Sequence, residues 1–298
     1  MELLTISPWQ DYELIDVGGY EKLERFGKYI ISRPEPQAVW QKSMRADEWE
    51  KISHARFVRN KESQDGKSFE KGEWQLKKGM PEQWWIAYQH QTIKFRMRLG
   101  LTSFKHVGVF PEQAVHWNFI EASVLQLRQK GIEMPKVLNL FAYTGGASLA
   151  AKASGADVVH LDSVKPVVSW AKENMEGSGL EGIRWVVEDA MKFVKREAKR
   201  ANQYHGIILD PPAYGRGPQG EKWLLEDHLN ELLENCAQIL ASPPHFLIIN
   251  LYSMGFSALI VENLIKHHFP KTQSYQFGEL YLTDRFKKKL PLGTFLRF

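Results

Sequence analysis

From Pro111 onward, short apolar runs alternate with longer amphipathic stretches, and no other property of this chain narrows its fold as far. PEQAVHWNFIEASVLQLRQKG opens the series as a helix, with Pro111 in its first turn and Gly131 just past its end. KVLNLF, DVVHLD, IRWVVE, HGIILD and HFLIINLY then read as strands. GGASLAAKAS, PVVSWAKENMEGSG, DAMKFVKREAKRA, EDHLNELLENCAQIL and SALIVENLIKHHF read as the helices between and after them. Strands alternating with helices in this way form a parallel sheet covered on both faces. The tail breaks the alternation. TQSYQFGELYLT and PLGTFLRF are two strands with no helix between them, which predicts a hairpin and an antiparallel strand at the sheet edge.

The first hundred residues have a different texture. They hold six of the ten tryptophans, and runs such as YIISRPEPQAVW and WWIAYQHQTIKFRMRL are broken by turn residues. Between Gln91 and Leu99, Ile93, Phe95, Met97 and Leu99 alternate with Lys94, Arg96 and Arg98, the pattern of a half-buried strand with a basic outer face. The expected organisation is a small β-rich domain over 1–100 and an α/β domain over 101–298. Composition agrees, since 43% apolar and 25% charged residues is a soluble globular profile. No apolar run approaches the ~20 residues that span a bilayer, so no membrane partner is expected. The acidic MELLTISPWQDYELID lacks the basic start and apolar core of a signal peptide. The single cysteine, Cys236, rules out an intramolecular disulfide and a cysteine-based zinc site. The expected setting is cytoplasmic. A net charge of +4 permits a polyanionic partner without demanding one.

Chemistry concentrates at three strand ends. Strand KVLNLF runs into Ala142-Tyr143-Thr144-Gly145-Gly146 and then a helix. Glycines at such a turn allow a ligand to approach the backbone closely. About twenty residues on, the next strand ends in Asp162, placed to accept hydrogen bonds from ribose hydroxyls. The third strand ends near Glu188-Asp189, where a carboxylate faces the adenine end of a nucleoside. The turn is not G-x-G-x-x-G, because Ala147 or Ser148 replaces the third glycine. That disfavours a pyrophosphate cofactor such as NAD, and with it an oxidoreductase. A nucleoside carrying a small amino-acid tail fits better.

The fourth strand ends in Asp210-Pro211-Pro212-Ala213-Tyr214-Gly215. Two prolines lack N–H groups and leave the sheet, holding the chain extended where open α/β sheets bind ligands. An ionised Asp210 can accept from an amino group, and so can the Pro211 carbonyl. Tyr214 can lie beneath a planar ring, where base stacking contributes about 1–3 kcal/mol.

LNLFAYTGG, the Asp162 strand end, the Glu188-Asp189 pair and DPPAYG, in this order, resemble the class I methyltransferases. The chain is most similar to the bacterial group containing the 23S rRNA cytosine-5 and guanine-N7 enzymes. FKHVGVFPEQ (Phe104 to Gln113) resembles that group's lead-in to the catalytic domain, and the resemblance covers about 100–298. The N-terminal segment resembles uncharacterised relatives, and no PUA-type RNA-binding domain is recognised.

The resemblance implies a Rossmann-like seven-stranded mixed sheet with an antiparallel C-terminal strand, and S-adenosylmethionine (AdoMet) as cofactor. Asn139, Phe141, Tyr143 and Gly145, with Thr144 and Gly146 of the same turn, are implied on its methionine side. Asp162 with Ser163 is implied at the ribose, and Asp189 with Ala190 at the adenine. Phe110 and Gln113 are implied to close over it. Asp210, Pro211, Pro212 and Tyr214 are implied to face the methyl acceptor, with Asp210 reaching the cofactor too.

The cytosine-5 enzymes use a cysteine after strand five. Here that stretch reads Asn250-Leu251-Tyr252-Ser253-Met254, and Cys236 sits on an apolar helix face. Direct transfer to a ring or exocyclic nitrogen, which needs positioning and no protein nucleophile, is therefore expected. The expected acceptor is RNA, rRNA above all. A small-molecule or protein acceptor, and an RNA-binding module that keeps AdoMet without catalysis, stand as alternatives. Oligomeric state is not legible.

Other basic or aromatic features read less sharply. Arg285-Phe286-Lys287-Lys288-Lys289 is as much a solvated loop as a nucleic-acid contact. Lys192, Lys195, Arg196, Lys199 and Arg200 read as a wet helix face, and His106 and the Trp84-Trp85 pair mostly as packing. His267-His268 has no suitably spaced carboxylate, and no metal is expected.

Overall fold

The computed structural model describes residues 1–59, 71–252 and 255–298. The chain starts with β1 (Glu2–Leu4), β2 (Tyr12–Gly18), β3 (Glu21–Phe26) and β4 (Tyr29–Pro34), then α1 (Ala46–Ile52), β5 (Ala55–Arg59) and β6 (Gly72–Leu76). Strands β2 to β6 form one sheet in chain order. Its neighbours are antiparallel, except that the crossover through α1 lays β5 parallel to β4. A separate hairpin, β7 (Gln83–His90) and β8 (Ile93–Gly100), follows.

A 3-10 turn at Pro111–Gln113 leads into α2 (Ala114–Gln129). Next come β9 (Lys136–Leu140), α3 (Gly146–Ala153), β10 (Asp157–Asp162), α4 (Lys165–Gly177), β11 (Ile183–Val187), α5 (Ala190–Lys199) and β12 (Gly206–Leu209). A short hairpin, β13 (Tyr214–Arg216) and β14 (Lys222–Leu224), interrupts the alternation. It resumes with α6 (Leu225–Ile239), β15 (Phe246–Leu251) and α7 (Ala258–His268), and ends with β16 (Gln276–Thr283) and β17 (Lys289–Arg297).

The large sheet has the order β1-β16-β17-β15-β12-β9-β10-β11, and β17 runs antiparallel to both its neighbours. The seven expected strands are all there, with the antiparallel one from the tail. The eighth, β1, lies parallel on β16. Its place depends on Gly278, where a Cβ would sit 1.8 Å from the Glu2 carbonyl oxygen. Strand order reverses between β9 and β12, so the ligand crevice of an open sheet falls at the ends of those two strands.

Helices α2, α3 and α4 cover one face, and α5, α6 and α7 the other. The first face shares a continuous core with the β7–β8 hairpin and β2. Trp117 of α2 lies at its centre, meeting Trp9, Tyr88 and Phe95 edge-on at 5.7, 4.9 and 5.3 Å. In β8 the alternation buries Ile93, Phe95, Met97 and Leu99. Side chains of α4 and the residues just past it cap its free edge. Asn174 Oδ1 accepts from Arg98 N at 2.7 Å, Ser178 Oγ from Arg96 N at 2.9 Å, and Trp170 Nε1 donates to Arg98 O at 2.9 Å. Among the described residues, no helix is long and apolar enough to cross a membrane.

The small sheet meets the large one through buried charge. Arg33 is bidentate to Glu24 at 2.6 and 3.1 Å, and the Tyr12 hydroxyl donates to Glu24 at 2.9 Å. Lys22 pairs with Glu35 at 3.1 Å, and Glu35 accepts from the Tyr252 hydroxyl at 3.1 Å. Glu112 is buried beside this cluster, and burial lifts its carboxyl to about 7. Opposite Leu23 in the small sheet, buried Asp16 accepts from Trp49 Nε1, Met44 N and Lys288 Nζ at 2.9, 2.9 and 2.8 Å.

Two outcomes are expected. Gly278→Val cannot keep β1 in place and lowers stability by about 1–3 kcal/mol, seen as a lower Tm with faster amide exchange over residues 2–4. Arg33→Met leaves Glu24 buried without its guanidinium and costs about 3–5 kcal/mol in urea unfolding, whereas the exposed Arg285→Met costs under about 1 kcal/mol.

Candidate active site

The turn after β9 holds two of the six non-glycine residues with positive φ among the described residues. Phe141, Tyr143 and Gly145 have φ of 56°, 49° and 91°. Two aromatic residues in the left-handed region cost of order 1–3 kcal/mol each and persist only where the surroundings fix them. Those surroundings are visible. Tyr143 N donates to Asp162 Oδ2 at 2.9 Å, and Ala142 N to Leu161 O at 3.0 Å. Buried Thr144 donates to Gly108 O at 2.6 Å and accepts, through its carbonyl, from Asn174 Nδ2 at 2.9 Å.

No side chain caps the α3 N-terminus that this turn opens, so its first N–H groups can meet a ligand. Gly145 supplies the φ. Gly146 serves packing, since a Cβ there would sit 2.6 Å from Trp117. Asn139 lies beneath the turn, its amide donating to Ser148 Oγ at 2.9 Å, and Ser148 contacts His160 Nδ1 at 3.0 Å. Burial drops His160 to about 3, so it stays neutral.

Asp162 ends β10 half-buried, and Val164 N donates to its second oxygen at 2.9 Å. Each oxygen keeps further acceptor capacity. Burial still raises its pKa above the usual carboxylate range, so added donors would be favourable there. Ser163 follows, partly exposed. Asp189 caps α5 by accepting from Lys192 N at 2.9 Å, with Ala190 buried behind it. Its neighbour Glu188 is engaged by Arg196, with one bond at 2.7 Å.

Across the crevice, Asp210 follows the last residue of β12 and is half-buried. Asn250 Nδ2 donates to it at 2.8 Å and Gln113 Nε2 approaches at 3.4 Å. Burial pushes its carboxyl up to about 6. Pro211 is buried and Pro212 exposed. The Pro212 carbonyl accepts from Trp223 Nε1 at 2.7 Å, and the Trp223 ring meets Phe141 at 4.9 Å. Tyr214 is 54% exposed at the start of β13, its hydroxyl accepting from Arg216 Nε at 3.0 Å. Phe110 packs between Tyr143 and His106 at 5.4 and 5.1 Å.

The two motifs thus converge on one crevice. A model of the S-adenosylmethionine-dependent methyltransferases matches residues 55–266, well over half the chain. The chain belongs to that family. This methyltransferase is 35% identical to the SAM-dependent methyltransferase of Agrobacterium tumefaciens, with 100% of this chain and 93% of that one covered and a TM-score of 0.86. A methyltransferase solved with SAH shares the fold at 17% identity, with coverage of 98% and 76% and a TM-score of 0.72. Curated relatives include the ribosomal RNA large subunit methyltransferase K/L of Pseudoalteromonas atlantica, 31% identical over 57% of this chain and 23% of that protein. The K/L protein of Shewanella frigidimarina is 29% identical over 49% and 20%. The match therefore spans less than a quarter of those relatives' length.

Several sequence features lie elsewhere or do other work. Arg285 pairs with Glu13, and Lys288 with Asp16 and Asp284, so that loop clasps the small sheet. On α5, Lys192 pairs with Glu221, Lys195 with Glu231 and Arg200 with Glu197. Trp84 is buried, and Trp85 lies under Arg96 at 5.2 Å. Cys236 is buried in α6, which pushes its thiol pKa far up. Ser253 and Met254 lie outside the described residues. Among the described residues, no three His, Cys, Asp or Glu side chains converge as a metal site.

Sequence reasoning missed Asn250 and the β13–β14 hairpin. In the sequence Asn250 stands out only as part of a stretch without a cysteine, and the hairpin strands are three residues each. Trp223, eleven residues past Pro212, was the available signal.

The raised Asp210 pKa has a stability consequence. The folded state holds this proton more tightly than the unfolded chain, whose aspartate titrates near 4. Its contribution is therefore favourable below about pH 4 and is lost as pH rises through about 6. Asp210→Asn is expected to flatten that stretch of the stability profile and raise stability at pH 7 by about 1–3 kcal/mol, measured by thermal melts at both ends of the range.

Proposed function

We propose that the crevice transfers the AdoMet methyl group to a base nitrogen of RNA, with rRNA the favoured acceptor. The observation that carries the reading is Asp210, a half-buried carboxylate held by Asn250 and Gln113 immediately before two prolines and an exposed tyrosine. Bound AdoMet supplies a methyl group already activated on a sulfonium. The strained 141–145 turn with the uncapped α3 N-terminus fits its amino-acid end. The half-buried Asp162, with Ser163 beside it, fits the ribose, and Asp189 with Ala190 the adenine.

On the acceptor side, Asp210 and the Pro211 carbonyl accept from an amino group and orient its nitrogen. Pro212 fixes the loop, which Trp223 anchors from behind. Tyr214 offers its exposed ring to the base. Phe110 and Gln113 close the mouth. No cysteine is described near the crevice, and a nitrogen acceptor needs none. We also propose that 101–298 is the catalytic domain. The part before it acts as an acceptor-side domain whose Glu35 holds Tyr252 near the crevice. The curated relatives' names support an rRNA acceptor and, with it, work in the cytoplasm.

The test is calorimetric AdoMet titration together with methyl transfer from labelled AdoMet to rRNA lacking its native modifications. Asp162→Ala is expected to weaken AdoMet binding by about 1–3 kcal/mol, the scale of a hydrogen bond to a charged group. Tyr214→Ala is expected to leave AdoMet binding unchanged and cut transfer by about tenfold or more, the equivalent of the stacking energy. Turnover on a small molecule or protein with none on RNA would replace the acceptor. Full biological activity in Asp210→Ala and Tyr214→Ala proteins would replace catalysis by a binding role.

A further inference from the structure

A second cleft, of about 950 Å³, lies at the opposite end of the sheet, where β12 and β15 begin. Its walls come from the second half of α2, the 240–245 segment, the 268–276 segment and the end of β17. Arg297, Lys130, Lys271, His245 and His268 line it, and the lining contains no aspartate or glutamate. At this size it falls in the range of clefts that bind ligands.

Arg297 is the telling residue. It is 8% exposed, yet no carboxylate lies within ion-pair distance among the described residues. A buried guanidinium without an acidic partner is costly. Here the side chain is built into place. Its Nε donates to Gln276 at 2.9 Å and Nη1 to the Val115 carbonyl at 3.1 Å, and its plane lies 4.5 Å over Phe119. Glu2 reaches it only indirectly, by accepting from the same Gln276 at 3.0 Å. Burial lowers the Arg297 pKa to about 10, and the Glu2 charge acts in the opposite direction. Lys130 and Lys271 also line the cleft, exposed, and form no ion pair among the described residues.

This contrasts with the basic clusters elsewhere. Those of α5 and of the 285–288 loop are largely neutralised by Glu and Asp, and Arg98 of β8 by Glu173. Here Arg297, Lys130 and Lys271 share a concave lining without aspartate or glutamate, which also presents half-buried rings of Phe119, Tyr275 and Phe298. A fixed guanidinium charge behind two exposed lysines, with aromatic faces beside them, suits phosphate and base recognition.

We propose that this cleft is an RNA exosite, holding a single-stranded stretch that flanks the methylated nucleotide. β15 separates it from the catalytic crevice by roughly 17–20 Å, six residues at the rise of a strand. The bound strand therefore engages the enzyme away from the transferred methyl group. RNA as the polyanion rests on the acceptor reading above, whereas the cleft's preference for anions does not.

The test is fluorescence anisotropy of the full chain, without AdoMet, with a labelled uridine oligomer of about 12 nucleotides at salt between about 50 and 200 mM. Lys130→Glu/Lys271→Glu, both exposed, is expected to bind at least about tenfold more weakly. Its salt slope should fall by about 1.4, two phosphate contacts' worth for single strands. Arg297→Lys keeps the charge and loses the fork, and should bind more weakly than the native chain. AdoMet titration of the same proteins is expected to be unchanged. That titration also reads the cofactor site independently, so failure at the crevice is distinguishable from failure here. Absence of oligomer binding by the native chain, or a double variant within about twofold of it, overturns the proposal. Equal competition by polyglutamate also overturns it, assigning the cleft to an acidic protein segment.

Discussion

Charge buried between the two sheets sets the terms for the rest of the molecule. Lys22, Glu24, Arg33, Glu35 and Glu112 all lie within the protein, where an unpaired ion costs several kcal/mol. Four of the five come from the β3 and β4 region of the small sheet, and Glu112 comes from the turn before α2. That turn also carries Gln113, which reaches Asp210, and follows Phe110, which packs on Tyr143. Arg33 adds a bond to the Lys105 carbonyl at 3.3 Å. The small sheet cannot move away without exposing or orphaning these ions. The segment that borders the crevice is therefore held as firmly from the N-terminal side as from the catalytic sheet.

The catalytic crevice uses strain and burial in complementary ways. On the β9 side, left-handed aromatics at 141 and 143 are stabilised by Asp162 and by the Thr144 contacts, so the turn is rigid before any ligand arrives. On the β12 side, Asp210 is kept in an environment that disfavours its charge, eased by Asn250. Both arrangements sit at the strand-order reversal, where topology alone opens a crevice.

Most of this was legible in the sequence because it is carried by patterns local to a few residues. Apolar runs alternating with helical periods give the β9 to β15 sheet, and the unbroken pair in the tail gives its antiparallel strand. Gly145, Asp162, Asp189 and Asp210 each announce themselves at a strand end. What stayed hidden depends on distant contact. Strand β1 is three residues long and forms only because Gly278 leaves room for it. Gly146 reads as a cofactor glycine, although its missing Cβ makes room for Trp117. The basic run at 285–289 reads as much as a solvated loop as a polyanion contact, whereas Arg285 and Lys288 find Glu13 and Asp16 across the fold.

The same logic explains where free positive charge ends up. Charge patterning along a sequence counts cations without knowing their partners. In the folded chain each paired lysine or arginine loses most of its reach to solvent anions, because a carboxylate within 4 Å cancels its field beyond a Debye length of about 8–10 Å. A chain of net charge +4 can therefore lose positive surface at some of its most basic segments and also place cations around a cleft that no sequence window marks. Lys130, Lys271 and Arg297 are far apart along the chain, and only the packing of α2 against β17 and the turn before β16 brings them to one concavity. If an acceptor strand is held there, its affinity is set at one end of the sheet and its chemistry at the other. Recognition and transfer can then vary independently across relatives that share the catalytic crevice.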